Sequence, residues 1–335
     1  MGETPPRESK PGRSARTGAA PRGVDIRVRG TDSPCMTGTP DAVAAAPGDG
    51  TALEEHFAFG ANWRRFLSLV DEGRIAEAVG SLRHMLSLGE AAEPLAGTRF
   101  LDAGCGSGLF SLAARRLGAE VVSFDFDPQS VACAEGLRRR FDAGGEWRIE
   151  TGSVLDGAFL ETLGTFETVY SWGVLHHTGA MWPAIESVTG RVAPGGRLFI
   201  AIYNDQGRLS ELWAAIKAGY ARLPAWLRTP YVAGVGGVYF GGKAAAKAAL
   251  WPVRLLNRGG VRRGGGEEDF RLTRSGDRGM SRWYDLVDWV GGHPFEVATP
   301  DELIDFLTPH GFRLEKLRSV GGRLGCNELV LRRDG

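Results

Sequence analysis

Leu101-Asp102-Ala103-Gly104-Cys105-Gly106-Ser107-Gly108 is the stretch that decides the fold. Three glycines at alternate positions follow a short β-prone run over 100–104 and precede an apolar-faced helical pattern from Leu109 to about Leu117. The pattern predicts a strand, a tight turn and a helix. Glycines at such a turn let the backbone approach a ligand where any Cβ would collide. The helix N-terminus just beyond offers unpaired N–H groups suited to a carboxylate.

Outward from this loop the same rhythm repeats. EVVSFD at 120–125 reads as the next strand, after which Asp127 is an N-cap and Pro128 the first helical residue of a helix through Arg140. WRIET (147–151), ETVYSW (167–172) and RLFIAIY (197–203) read as further strands. A helix over about 180–192 precedes the last of these, and Pro194-Gly195-Gly196 is expected to be the turn that stops it. Strands alternating with helices at this spacing imply βαβ units and a mostly parallel sheet.

The flanking segments differ in character. Residues 1–52 are rich in Pro, Gly, Ala, Ser, Thr and Arg, so they bury too little apolar surface to offset ordering entropy and are expected to be a disordered tail. The tail lacks a secretory apolar core, and a start at Met36 stays open. Residues 53–97 carry two helical patterns, one through Phe57, Trp63 and Val70 and a clearer one through Ile75, Leu82 and Leu86. Residues 98–205 form the α/β core and 206–296 an insert. In 297–335 the capping box Thr299-Pro300-Asp301-Glu302 opens a helix closed by Gly311, and FRLEKLRSV and CNELVLRR follow as a β-hairpin.

Composition narrows the function classes. Forty Lys+Arg balance forty Asp+Glu among 335 residues, so no global charge points to nucleic acid. The insert is the exception: residues 206–285 hold 14 basic against 6 acidic side chains, a local +8. Cys35, Cys105, Cys133 and Cys326 show neither CxxC pairing nor metal-ligand spacing, which disfavours a disulfide scaffold or zinc site and fits a cytoplasmic location. No run of about 18 uninterrupted apolar residues suggests a transmembrane helix.

The dinucleotide fingerprint is G-x-G-x-x-G. Here the third glycine comes one residue early and an acidic Asp102 ends the strand. This [LV]-[DE]-x-G-x-G-x-G pattern resembles motif I of class I S-adenosylmethionine-dependent methyltransferases. The Pro194-Gly195-Gly196 turn matches too, and the stretch from Tyr170 to Gly196 is similar to the small-molecule O-methyltransferases of the ubiquinone-biosynthesis type. The implied fold class is α/β, a doubly wound, mostly parallel, seven-stranded Rossmann-like sheet with a helical cap insert. The implied cofactor is S-adenosyl-L-methionine, held by Asp102, Gly104, Cys105, Gly106, Gly108, Asp125, Phe126, Ser153, Val154 and Trp172. Asp125, 21 residues after Gly104, is placed to accept both hydroxyls of a ribose. Ser153 stands where many such proteins carry Asp, so its hydroxyl and the Val154 backbone are the adenine-side candidates.

Methyl transfer to a hydroxyl requires alignment and removal of a proton. His176 and His177 follow the fourth strand, and either is a candidate base; one packing on the cofactor and the other capping the next helix is the alternative. Tyr203 and Asn204, at the end of the fifth strand, are acceptor-site candidates, as are Trp283, His293 and Glu296 in an aromatic-rich segment. The acceptor is expected to be a small molecule bearing a hydroxyl that is aromatic, sugar-like or lipid-linked. Motifs for methylating exocyclic amines of bases or pyrimidine C5 are absent from the expected places, and no metal site is expected. A dinucleotide-dependent oxidoreductase, a non-catalytic binding module and an RNA methyltransferase remain rivals. The insert is expected to be a cap of short helices, since the glycines of VAGVGGVYFGG disfavour a continuous amphipathic helix; peripheral contact with lipid is the alternative.

Overall fold

The computed structural model describes residues 70–142, 146–256 and 282–335. The expected tail, the first of the two N-terminal helical patterns and the Gly-rich segment 258–266 lie outside them. The sheet has seven strands in the order β3-β2-β1-β4-β5-β7-β6. They are β1 (Arg99–Ala103), β2 (Glu120–Asp125), β3 (Trp147–Thr151), β4 (Phe166–Trp172), β5 (Val192–Tyr203), β6 (Phe312–Arg318) and β7 (Cys326–Arg333). β1 to β5 run parallel, and β7 pairs antiparallel with both β5 and β6.

Both faces of the central strands are covered, which is why they are apolar throughout rather than alternating. In β5, Leu198, Ile200 and Ile202 enter one core while Phe199 enters the other, the period of two expected of a strand. The first core packs α4 (Gly157–Leu163), α5 (Met181–Thr189) and α9 (Pro300–Leu307). The second packs α1 (Glu72–Met85), α2 (Leu109–Arg116) and α3 (Pro128–Phe141). Leu101, Phe166, Leu198 and Leu82 are all fully buried, each removing from water an area contributing roughly 1.5–3 kcal/mol. The helix starts follow the sequence: Asp127 accepts the Gln129 N–H at α3, and Thr299 and Glu302 form a reciprocal capping box at α9.

Pro194-Gly195-Gly196 corrects one expectation. α5 already ends at Thr189, and the tripeptide lies within β5 as an irregularity: Phe166 pairs with Val192, then Thr168 with Arg197. Gly195 has φ +71°, and a Cβ on Gly196 would stand 2.8 Å from the Ala193 carbonyl and 3.0 Å from that of Glu167. Glycine here absorbs extra chain inside a paired strand; it does not reverse direction.

The insert corrects another. It contains α6 (Arg208–Arg222), α7 (Ala225–Leu256) and α8 (Arg282–Gly291), and α7 is a continuous 32-residue helix through the glycine-rich run. Tertiary packing overrides propensity there: a Cβ on Gly236 would lie 2.6 Å from Leu286 Cδ2, so the glycine lets α8 approach closely. Trp213, Val232, Leu286, Trp289 and Val290 make a small separate core for these helices. Trp226, Val238 and Phe240 remain exposed on α7. Among the described residues no helix is long and apolar enough to cross a membrane.

Candidate active site

β1 sits between β2 and β4, so the strand order reverses there, and in open α/β sheets the ligand crevice lies beyond the carboxyl ends of the strands at such a point. The glycine loop fills one side of this crevice. Gly104, Gly106 and Gly108 have φ of +82°, +53° and +79°, conformations that residues with a Cβ rarely adopt. The Gly104 and Cys105 N–H groups donate to the Phe124 carbonyl at 2.9 and 3.0 Å, tying the loop to β2. Gly108 is the N-cap of α2 and carries no capping side chain, while the Asp102 carboxylate already takes the Ser111 N–H in the first turn of that helix.

Asp125 ends β2 facing the loop. One carboxylate oxygen accepts the Gly106 N–H at 2.8 Å and the other the Asp127 N–H at 2.9 Å. Burial, partly offset by these hydrogen bonds, raises its pKa to about 6. Phe126 beside it is 41% exposed, and Leu155, beyond β3, is 44% exposed, so two apolar side chains stand uncovered past the same sheet edge. Leu155 was not singled out from sequence, because an exposed leucine in a loop carries no pattern. Ser153 accepts the Leu155 N–H at 3.1 Å, forming a local turn, and the Val154 side chain is buried.

Asp102 lies beneath the loop. It is 2% exposed, accepts a hydrogen bond from the Ser111 hydroxyl at 2.5 Å, and burial raises its pKa to about 7. The folded value exceeds the ordinary 3.8, so the fold binds this proton more tightly than the unfolded chain does. The resulting destabilisation is fully present above about pH 7 and disappears as the pH falls toward 4, on the order of 4 kcal/mol. Asp102→Asn is therefore expected to flatten the fall in denaturant stability of the ligand-free protein between pH 5 and pH 8. An unchanged slope would assign that pH dependence to other groups. Burial, with Asp125 and Asp102 nearby, also pushes the Cys105 thiol well up, keeping it a neutral packing group.

The other side of the crevice is the chain leaving β4. Trp172 is half-buried and donates its indole N–H to Glu328 at 3.2 Å. The short 3-10 turn Leu175–His177 then places the two histidines differently. His176 is fully buried; its Nδ1 accepts the Tyr203 N–H at 3.3 Å, and its ring lies 4.0 Å from the Tyr203 ring. Burial, with His177 and Lys217 nearby, holds its pKa well below the ordinary value, so it stays neutral. His177 is half-buried, with Nδ1 2.7 Å from the Pro294 carbonyl oxygen. A carbonyl only accepts, so Nδ1 carries the proton and, in the neutral ring, Nε2 carries the lone pair.

Tyr203 ends β5 at the centre of an aromatic group, with the rings of Trp289 and Phe295 5.4 and 5.3 Å away. Two expected acceptor residues prove to be committed elsewhere. The Asn204 amide donates to the Gly321 carbonyl at 2.8 Å while its oxygen accepts from Asn327 at 2.8 Å, so it clasps β5 to the β6–β7 connection. The Glu296 carboxylate accepts the Met181 N–H at 3.0 and 3.1 Å, closing the start of α5. Both polar groups thus have partners within the chain. Among the described residues the buried Nδ1 of His293 meets no hydrogen-bond partner. Trp283 falls on α8, but its side chain lies outside the described residues.

Lys217 was missed. It is fully buried on α6, donates to the Trp289 carbonyl in the last turn of α8, and lies 4.6 and 4.8 Å from the Trp289 and Phe295 ring centres. The signal was present, since Trp213, Lys217 and Tyr220 share the helical spacing of an inward stripe. Among the described residues no cluster of His, Cys, Asp or Glu suits a metal ion.

Residues 101–198 match the family model described as "Methyltransferase domain". A ubiquinone biosynthesis O-methyltransferase of Xanthomonas euvesicatoria pv. vesicatoria is 36% identical over 110 residues, 33% of this chain and 45% of that protein. One from Methylocella silvestris is 33% identical over 114 residues, 34% of this chain and 43% of that protein. The matched stretch thus spans less than half the length of these curated relatives. Among solved structures, magnesium protoporphyrin IX methyltransferase from Synechocystis PCC 6803 aligns at a TM-score of 0.48 and 17% identity, over 85% of this chain and 100% of that one.

Proposed function

We propose that this chain, which carries a methyltransferase domain over residues 101–198, transfers the methyl group of S-adenosylmethionine to a hydroxyl oxygen of a small molecule. One observation carries the reading. The glycine loop with Asp125 and the turn bearing His177 meet across one crevice at the β1–β4 switch point.

The residues present fit the cofactor. Asp125 is an acceptor pair at the end of β2, suited to a ribose diol, and Phe126 and Leu155 are apolar surfaces past the same edge for a base. The N-terminus of α2, with Gly108 as its N-cap, suits the amino-acid carboxylate. When bound, the sulfonium supplies an electrophilic methyl group, and displacement at that carbon requires an in-line acceptor. The chain's own part is to align that oxygen and take its proton. His177 suits proton removal, because Pro294 fixes the tautomer that leaves Nε2 as the base. Tyr203 and Phe295 give the neighbouring aromatic wall against which a planar acceptor would pack. His176, buried and neutral, supports that wall.

Calorimetric titration of S-adenosylmethionine and of NAD into wild type and Asp125→Ala tests the cofactor. Micromolar affinity for the sulfonium alone is expected, weakened at least about a hundredfold in the variant by loss of two charge-assisted hydrogen bonds. Affinity is also expected to fall below pH about 6, as Asp125 takes up a proton and can no longer accept from both hydroxyls. Binding of NAD, or of neither compound, would favour the oxidoreductase or an unrelated ligand. A screen of phenols, catechols and sugars with the labelled methyl donor then identifies the acceptor class.

A further inference from the structure

His176 and His177 lie on the connection between β4 and α5, which a distant segment helps to hold in place. Residues 292–298 run across it as a strap. The strap's Pro294 carbonyl accepts from His177, and its Glu296 N–H donates to the His176 carbonyl at 2.9 Å. The Glu296 carboxylate accepts the Met181 N–H with both oxygens at 3.0 and 3.1 Å. Beyond it, the Ala298 N–H donates to Tyr203 at 2.9 Å and the Ala298 carbonyl accepts from Asp205 at 3.3 Å, fastening the strap to the end of β5.

α5 needs an outside acceptor. Its N-cap, Ala180, has no capping side chain, and no acidic residue occupies its first turn. Glu296 supplies from a distant part of the chain what a local Ser or Asp would ordinarily supply, and its charge complements the helix dipole. The same residue thereby fixes the distance between strap and histidine turn at two points, one through its backbone and one through its side chain. Pro294, two residues earlier, is held against the His177 ring as a consequence.

We propose that Glu296 is a positioning residue for His177: by bridging the strap to the start of α5, it keeps the Pro294 carbonyl on Nδ1 and so keeps Nε2 as the ring's basic nitrogen. The inference rests on His177 as the base, yet it predicts a property of the ring that is measurable without any acceptor. Glu296 itself touches neither methyl donor nor acceptor.

The test uses the full chain with nitrogen-15-labelled histidine and long-range proton–nitrogen correlation spectra of the imidazoles at pH 8, His177 being assigned by its loss in His177→Gln. Wild type is expected to show one tautomer with the proton on Nδ1. Glu296→Gln keeps an acceptor for Met181 and should retain that pattern. Glu296→Ala should give a mixture of tautomers and an exchange of the ring proton with solvent at least about tenfold faster. A wild-type His177 signal in folded Glu296→Ala would overturn the proposal. Should the alanine variant not fold, Glu296→Asp, whose carboxylate stops one methylene short of the Met181 N–H, serves in its place, and an unchanged tautomer there overturns the proposal equally. Activity separates the two ideas. A tautomer shift in Glu296→Ala beside unaltered methyl transfer in His177→Ala supports the positioning and refutes the base. A fall in kcat for Glu296→Ala, with KM for S-adenosylmethionine unchanged and rescue by Glu296→Gln, supports both.

Discussion

Replacing His177 with alanine is expected to slow methyl transfer by about 10²- to 10⁴-fold, the range for loss of a positioned general base. Affinity for S-adenosylmethionine should stay within about twofold of wild type, because the groups proposed for its ribose, base and carboxylate lie on the glycine-loop side of the crevice. The asymmetry between the two histidines makes the result diagnostic. His176 has its Nδ1 engaged by the Tyr203 N–H and is fully buried, so it can neither reach an acceptor nor readily gain a proton. His176→Ala should therefore register first as lost stability, with a cavity beneath Tyr203, by about 1–3 kcal/mol. Rates measured under single-turnover conditions, with binding measured separately, distinguish the outcomes. Full activity in His177→Ala would remove it as the base and return the role to solvent or to the acceptor's own acidity.

Gly104→Ala should be strongly destabilising. A Cβ there would lie 2.4 and 2.6 Å from the two γ-carbons of Val174, and φ is +82°. The left-handed conformation alone costs about 1–2 kcal/mol for a residue with a Cβ, and overpacking adds about 1–3 kcal/mol. Rotating the Val174 side chain would not clear the clash, since its own Cβ would stand 3.0 Å away and β-branched side chains are stiff at χ1. Thermal or denaturant unfolding should therefore show a loss of about 2–5 kcal/mol, and the glycine loop should lose its cofactor site. Gly104→Ala with Val174→Ala discriminates the causes: the double variant should recover the steric part while the φ penalty persists. Additivity of the two changes would mean that they do not share a contact.

This contact packs the glycine loop against the histidine turn. The loop's glycines were legible as a ligand-approach motif, since positive φ is a property of the residue itself. Gly104 also serves the neighbouring strand's loop, and that could not be read, because nothing in the sequence says that Val174 packs on it. Asp125 was legible for a similar reason, as an acidic residue at a strand end a fixed distance beyond the loop. Asn204 and Glu296 looked like acceptor-site polarity, but a polar side chain in a loop carries no mark of its partner. Their partners, Asn327 and Met181, are 123 and 115 residues away.

By itself the sequence determined the elements whose causes are local. Asp127 with Pro128 set the start of α3, the Thr299–Glu302 box set the start of α9, and the period of two in RLFIAIY set a strand with two buried faces. Each of these depends on side-chain–backbone hydrogen bonds or periodicities within a few residues. Tertiary structure decided the rest. The glycines of α7 disfavour an isolated helix, yet α8 packs into the space that Gly236 leaves, and the helix runs on through them. Pro194-Gly195-Gly196 became part of a strand because β4 was there to pair with it. Lys217 became an interior cation because the Trp289 carbonyl and aromatic rings surround it. His176 and His177, adjacent and chemically identical, acquired different roles only when Tyr203 approached one and Pro294 the other. Local sequence sets backbone conformation within a turn or two; the environment of a side chain is set by whichever distant segment arrives beside it.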